Sequence, residues 1–472
     1  MPSFARLLAF FLVAPAAIQA QMPPAAEPVH LLLSGNLVTP DGVIPHGWLD
    51  ILNGRILHIE RERPNIPNAQ VLETDDLIFP GFVDLHNHPS FNVFPRWTPP
   101  HKFPNRYAWR DWDVYQRELE GKAHKLFTDP ATLCDIDEYV EIKALIGGTT
   151  SMIGLGPDKE SDDPQHITGK CIQGLVRNLD HATGFYGPGI DHERIANSIG
   201  ILPLDMDATT AASYARQIAN GSLDLLAIHI AEGLPTDVES AQELDMLEAH
   251  GLLTAHTALV HSVGLSPSQL ARVHRAGASI VWSPRSNFEL YGQTANVAAA
   301  FREGTTISLA PDWSPSGSDN MWEEIQYAQR VNKDKLNSLF SARQLVEMSS
   351  SVPARVAYID DKVGTIAPDM RADLFLVAMP GASISNPYDA ILSSGITSVD
   401  LVIIDGTPVY GEPKLLHTLH IATEPLQLCG TEKALNSAAL PNGSFAEVEK
   451  RLQTRMKAVG ADLGPLDSCP KP

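Results

Sequence analysis

Positive charge is in short supply: 35 Lys and Arg stand against 56 Asp and Glu, a formal net charge of −21. Without a basic surplus to neutralise phosphates, the composition argues against a nucleic-acid partner. Cysteine is scarce as well, with four in 472 residues and no CxxC pair, which argues against a thiolate zinc site or a redox dithiol. Beyond the first twenty residues no apolar run reaches membrane length. There is no low-complexity linker and no short-period repeat. Only 19% of the residues are charged while 44% are hydrophobic, so disorder, fibres and coiled coils are set aside and a large core is expected.

What is present begins with an export signature. Arg6 supplies charge, residues 7–18 are apolar, and Ala20 closes a small-residue cleavage site before Gln21. With Pro15 inside it, that run is too short to span a bilayer, so residues 1–20 read as a cleaved signal peptide. The expected location is periplasmic or secreted, with no membrane attachment after cleavage. An oxidising compartment makes disulfides plausible, and the spacings favour Cys134–Cys171 and Cys429–Cys469.

From residue 30 to 60, short strands alternate with turns, and Asn53-Gly54 between two apolar runs is a hairpin signal. The same texture returns in ADLFLV (372–377) and VDLVIIDG (399–406). The two β-rich pieces, 28–76 and 361–425, read as one small β-sandwich built from both ends of the chain, with 426–472 as a C-terminal tail. Between them, residues 77–360 carry eight apolar runs, at 77–85, 149–155, 182–186, 199–204, 225–230, 257–263, 279–282 and 306–310. Helix-like segments separate them. The fold class is therefore α/β, with a (β/α)8 TIM-like barrel in which chemistry is expected at the C-terminal ends of the strands.

Residues able to carry that chemistry stand at those ends. The first run closes on His86 and His88, whose i, i+2 spacing turns both imidazoles to one side of a strand. The fifth leads to His229 and Glu232, the sixth to His261, the eighth to Asp312. Any one of them alone reads as a hydrogen-bonding histidine or a helix cap; four strand ends together do not. Three neutral imidazoles and a carboxylate suit Zn²⁺, with Fe²⁺ or Mn²⁺ as alternatives, and an open position there makes hydroxide available near neutral pH. Asp312 can bind metal and accept the water's proton. Glu232 can pass that proton to a departing nitrogen.

The runs PGFVDLHNH, GGTT (147–150), HIAEG, VHS, SPRSN and APDWS, with GTIAPDMRADL from 364, resemble the metal-dependent amidohydrolase superfamily, in its cytosine/guanine deaminase and chlorohydrolase-like branch. The resemblance covers about residues 30–425. It implies that His86, His88, His229 and Asp312 hold the metal, that Glu232 is the acid/base, and that His261 orients the attacking water. Many relatives bridge two metals with a lysine on the fourth strand; none occurs in 199–206, so one metal per chain is expected.

Substrate contacts are expected from Arg285 and Asn287 after the seventh run, and from Trp109 and Trp313. Arg285 reads equally as a carboxylate clamp or a structural ion pair. The aromatic stretch Phe94, Trp97, Phe103, Tyr107, Trp109, Trp112 and Tyr115 is expected to cover the catalytic end as a lid, against a satellite hydrophobic cluster. The expected activity is hydrolysis of a C–N bond, at a cyclic amidine or amide carbon of a small molecule. The alternatives are ring dechlorination or a barrel scaffold that has lost catalysis. Oligomeric state stays open, a homo-oligomer among the options.

Overall fold

The protein is described by a computed structural model over residues 30–154, 175–180, 194–198, 206–379 and 384–469. The expected signal peptide, the runs at 182–186 and 199–204, and Cys171 lie outside the described residues.

Both chain ends build one sheet. β1 (His30–Thr39), β2 (Gly42–Leu52), β3 (Arg55–Glu60) and β4 (Gln70–Pro80) come first. The β2–β3 turn is Asn53-Gly54, with φ of 50° and 78°, the left-handed pair that a two-residue hairpin of native twist demands. The chain then leaves the sheet at Gly81. A Cβ there would stand 2.0 Å from Thr150 Oγ1, so only glycine fits the crossing.

Among the described residues, eight parallel strands follow in two groups. β5 (Phe82–Asp84), β6 (Thr149–Met152) and β7 (Arg177–Asn178) form one. β8 (Ile195–Ser198), β9 (Leu225–Ile230), β10 (Thr257–His261), β11 (Ser279–Trp282) and β12 (Ile307–Leu309) form the other. A parallel bridge between Asn87 and Asp312 links the ends of β5 and β12. The helices between them are set by local signals. Pro267–Ala276, for example, starts at Ser266 in a reciprocal capping box with Gln269 and stops at Gly277, φ 75°, while Leu270 and Val273 face the core.

β13 (Leu374–Val377), β14 (Val399–Ile404), β15 (Thr407–Gly411), β16 (Thr423–Leu428) and β17 (Thr431–Asn436) return to the first sheet. Its order is β16-β17-β15-β14-β13-β4-β1-β2-β3, nine strands joined where β13 lies antiparallel to β4. Period-two alternation gives the sheet two apolar faces. Leu374, Leu376, Leu401 and Ile403 enter its own core, while Phe375, Val377, Val402 and Ile404 join the core shared with the parallel strands. Arg177 of β7 is buried and holds Asp373 through two 2.9 Å hydrogen bonds, tying the two parts together.

Two expectations need correction. The first apolar run is not one strand: 77–80 belongs to β4 and only 82–84 to β5. The stretch from 426 is no tail. It completes β16, adds β17 and the helix Phe445–Ala458, and is stapled by a disulfide between Cys429 and Cys469. Its strands, TEPLQL and TEKALN, carry too many charged and polar residues to announce themselves by alternation. Cys134 is also disulfide-bonded.

Candidate metal centre and catalytic site

The ends of β5, β9, β10 and β12 converge. His86 and His88 flank Asn87, whose bridge to Asp312 keeps the chain extended, so the two rings share one side. His229 is the penultimate residue of β9, and His261 the last of β10. At and beyond the strand ends the backbone turns through the left-handed region without glycine: φ is 51° at Ala231, 67° at His261, 56° at Ser262 and 68° at Asp312. Such strain persists only where surrounding structure enforces it, and it gathers at functional sites.

The His86 ring centroid lies 5.0 Å from His88, 4.7 Å from His229 and 5.0 Å from His261. Asp312 Oδ1 stands 3.0 Å from His86 Nε2 and 3.6 Å from His88 Nε2. Burial drives all four imidazoles toward the neutral form: His86 and His88 are lowered to about 3, His229 and His261 well below their usual value. Lone pairs are thus available at neutral pH. One donor atom from each of His86, His229 and His261 falls within 4.8 Å of the others, as do those of His86, His88 and Asp312. Nδ1 of His86 is buried with no hydrogen-bond partner among the described residues. Uncharged imidazoles around a carboxylate fit a divalent cation of the zinc type.

Glu232 faces this cluster. Its Oε1 accepts from Tyr291 Oη at 2.6 Å and lies 3.7 Å from His261 Nε2, and its Oε2 is 3.6 Å from Arg106 Nε. Burial raises its pKa, Arg106 and the Tyr291 hydrogen bond oppose that, and the balance is about 7. A carboxyl group with such a pKa both gives and takes a proton near neutrality. Asp84, raised to about 7 by burial, accepts from His86 N at 3.0 Å and Asn87 Nδ2 at 2.7 Å and so shapes the first histidine segment.

The expected substrate residues divide. Trp313 packs against His88 at 6.0 Å and Phe91 at 5.4 Å between ring centroids, forming an aromatic wall beside the cluster. Trp109 is buried and donates from Nε1 to Tyr291 Oη at 2.8 Å, so it reaches Glu232 through one hydroxyl. Asn287 is held within the cluster, its Nδ2 meeting His261 Nδ1 at 3.0 Å. The Arg285 guanidinium pairs with Glu323 and lies over Tyr327 at 5.6 Å, the arrangement of a structural ion pair. The aromatic stretch is both cover and cluster. Trp97, Trp109 and Tyr115 are buried in the main core, while Arg106 N donates to the Glu232 carbonyl at 2.9 Å. Tyr291 and Arg106 escaped sequence reasoning, although Tyr291 ends the helix (Pro284–Tyr291) that begins within SPRSN.

The amidohydrolase family model matches residues 219–409. A 5-methylthioadenosine/S-adenosylhomocysteine deaminase of Desulforudis audaxviator is 25% identical over 358 residues, covering 69% of this chain and 80% of its own. A 5'-deoxyadenosine deaminase of Methanothermobacter thermautotrophicus is 22% identical, covering 80% and 92%. Among solved structures, an adenosine deaminase from Xanthomonas campestris with bound zinc superposes with a TM-score of 0.67 at 16% identity, over 91% of this chain and 98% of that one. The atrazine chlorohydrolase of Arthrobacter aurescens gives 0.65 at 15%, over 80% and 95%. These two likenesses concern the fold.

Proposed function

Since the chain belongs to the amidohydrolase family of C–N hydrolases, we propose that it is a deaminase of small aminated heterocycles, bearing one zinc ion. The eight parallel strands would close into a barrel, with the nine-stranded sheet as the sandwich beside it, and the enzyme would work outside the cytoplasm. His86, His88, His229 and Asp312 would hold the metal. A cation there lowers the pKa of a coordinated water to about 7 and so supplies the nucleophile.

The remaining chemistry belongs to the side chains. Asp312 accepts a proton from the attacking water, and His261 donates a hydrogen bond to the oxygen as the ring carbon becomes tetrahedral. The amino group is a poor anionic leaving group. Glu232 protonates it, the C–N bond breaks, and ammonia departs with the ring oxygenated. The observation that carries this reading is Glu232, poised near neutrality within 3.7 Å of His261 and hydrogen-bonded by Tyr291.

The test is ammonia release by zinc-loaded protein from adenosine, 5'-methylthioadenosine and guanine. Glu232→Gln should keep the metal and lose roughly 10²–10⁴-fold in kcat. Near-normal turnover by that variant would remove Glu232 from the role. Chloride release from a chlorotriazine without ammonia from any amine would favour the dechlorinating alternative, for which the fold likeness to the chlorohydrolase is the ground.

A further inference from the structure

His261 stands at the end of a hydrogen-bond chain that starts at Trp282. Trp282 Nε1 lies 2.7 Å from Thr294 Oγ1, which lies 3.1 Å from Asn287 Oδ1, and Asn287 Nδ2 lies 3.0 Å from His261 Nδ1. An indole N–H only donates, so Thr294 accepts from Trp282 through one lone pair, and its own hydrogen goes to Asn287 Oδ1. The Asn287 amide thus stands with its NH₂ toward His261. An amide NH₂ cannot accept, so Nδ1 of His261 is the acceptor and carries no proton. The neutral ring then bears its proton on Nε2, the nitrogen that faces Glu232.

We propose that Thr294, anchored by Trp282, is a positioning residue that sets the His261 tautomer through Asn287, making His261 a donor to the reacting oxygen and withholding it from the metal. The geometry alone would admit His261 as a ligand, since its donor atom lies within 4.8 Å of those of His86 and His229. A protonated Nε2 and an engaged Nδ1 leave it no lone pair to give. Of the four imidazoles, three remain as ligands. Trp282 and Asn287 are fully buried, and Thr294 between them is half-buried.

This inference rests on the role given to His261 under Proposed function, and its test separates the two. Selective ¹⁵N-histidine labelling of the zinc-loaded protein, with the His261 signals identified by their loss in His261→Gln, reads the protonation of each ring nitrogen. The wild type should show a bare Nδ1 and a protonated Nε2. In Thr294→Val the amide is free to turn its oxygen to the ring. A proton should then appear on Nδ1, and kcat should fall at least tenfold, toward the roughly 10²–10³-fold loss of one oxyanion donor, with zinc content and KM within about twofold. Thr294→Ser, which keeps the hydroxyl, should restore the ring state. A protonated Nδ1 in the wild type, or an unchanged ring in Thr294→Val, overturns the proposal. The expected ring states in a protein that releases ammonia from no amine would instead sink the deaminase reading and leave the tautomer assignment standing.

Discussion

The Tyr291 hydroxyl accepts from Trp109 Nε1 at 2.8 Å and donates to Glu232 Oε1 at 2.6 Å. Oε1 is thereby engaged on the side of His261, while Oε2 lies 3.6 Å from Arg106 Nε. The aromatic stretch before the first long helix thus reaches the acid through one oxygen.

Tyr291→Phe removes that donor without changing shape. A hydrogen bond to a charged group is worth about 1.5–3 kcal/mol, so kcat should fall roughly 10- to 100-fold, with metal content and KM near wild type. Steady-state ammonia release and elemental analysis check it. Loss of metal together with activity would make Tyr291 a fold element only.

Metal removal should act on stability as well as rate. A ligand that binds only the folded chain stabilises it by mass action, so chelation should lower the melting temperature and zinc should restore it. His86→Ala and His229→Ala should each abolish stoichiometric zinc, read by elemental analysis. Two zinc ions per chain in the wild type would contradict the single shared centre.

Glu141 provides a pH dependence away from the site. Burial raises its pKa from 4.5 to about 8, although its carboxylate accepts from Val176 N at 3.1 Å. The folded state keeps a proton that the unfolded chain releases, so its contribution is full below about 4.5 and is lost as pH rises toward about 8. Glu141→Gln is neutral throughout and still accepts from Val176. Denaturant titrations from pH 5 to 9 should show a shallower alkaline decline in the variant; parallel curves would refute this.

The parallel strands were legible wherever a run was continuously apolar: LLAIHI and SIVW match β9 and β11 to the residue. The split at Gly81 was not, because hydrophobicity cannot say that a chain passes from one sheet to another. The strand-end residues that converge were readable by type, since imidazoles and carboxylates announce their chemistry. Their partners were not. Arg285 finds Glu323 on a later helix, and Asn287 finds His261 across two elements, relationships that no local pattern encodes.

The closing segment contacts two stretches that follow site residues. Gly464 N donates to the Val93 carbonyl at 2.7 Å, and Asn320 Nδ2 donates to Asp467 Oδ2 at 3.1 Å, so residues that follow His88 and Asp312 lean on it. Cys429–Cys469 closes a 40-residue separation. Cys469→Ser should cost about 2–5 kcal/mol of stability and raise KM, as read by denaturant unfolding and steady-state kinetics. An unchanged KM at full folding would confine the bridge to stability.

Ala231 sits at φ 51° between His229 and Glu232, a conformation that glycine adopts freely and alanine does not. Relief of that strain should make Ala231→Gly more stable by about 0.5–1 kcal/mol, and the added freedom should slacken the aim of Glu232 and lower kcat. Thermal melts and turnover measured on the same preparation decide it; a variant both more stable and fully active would show the strain to be idle. Selection for thermostability alone would therefore drift toward glycine at 231 and away from activity, whereas a lineage kept under selection for turnover should retain a side chain there and tolerate the softer fold.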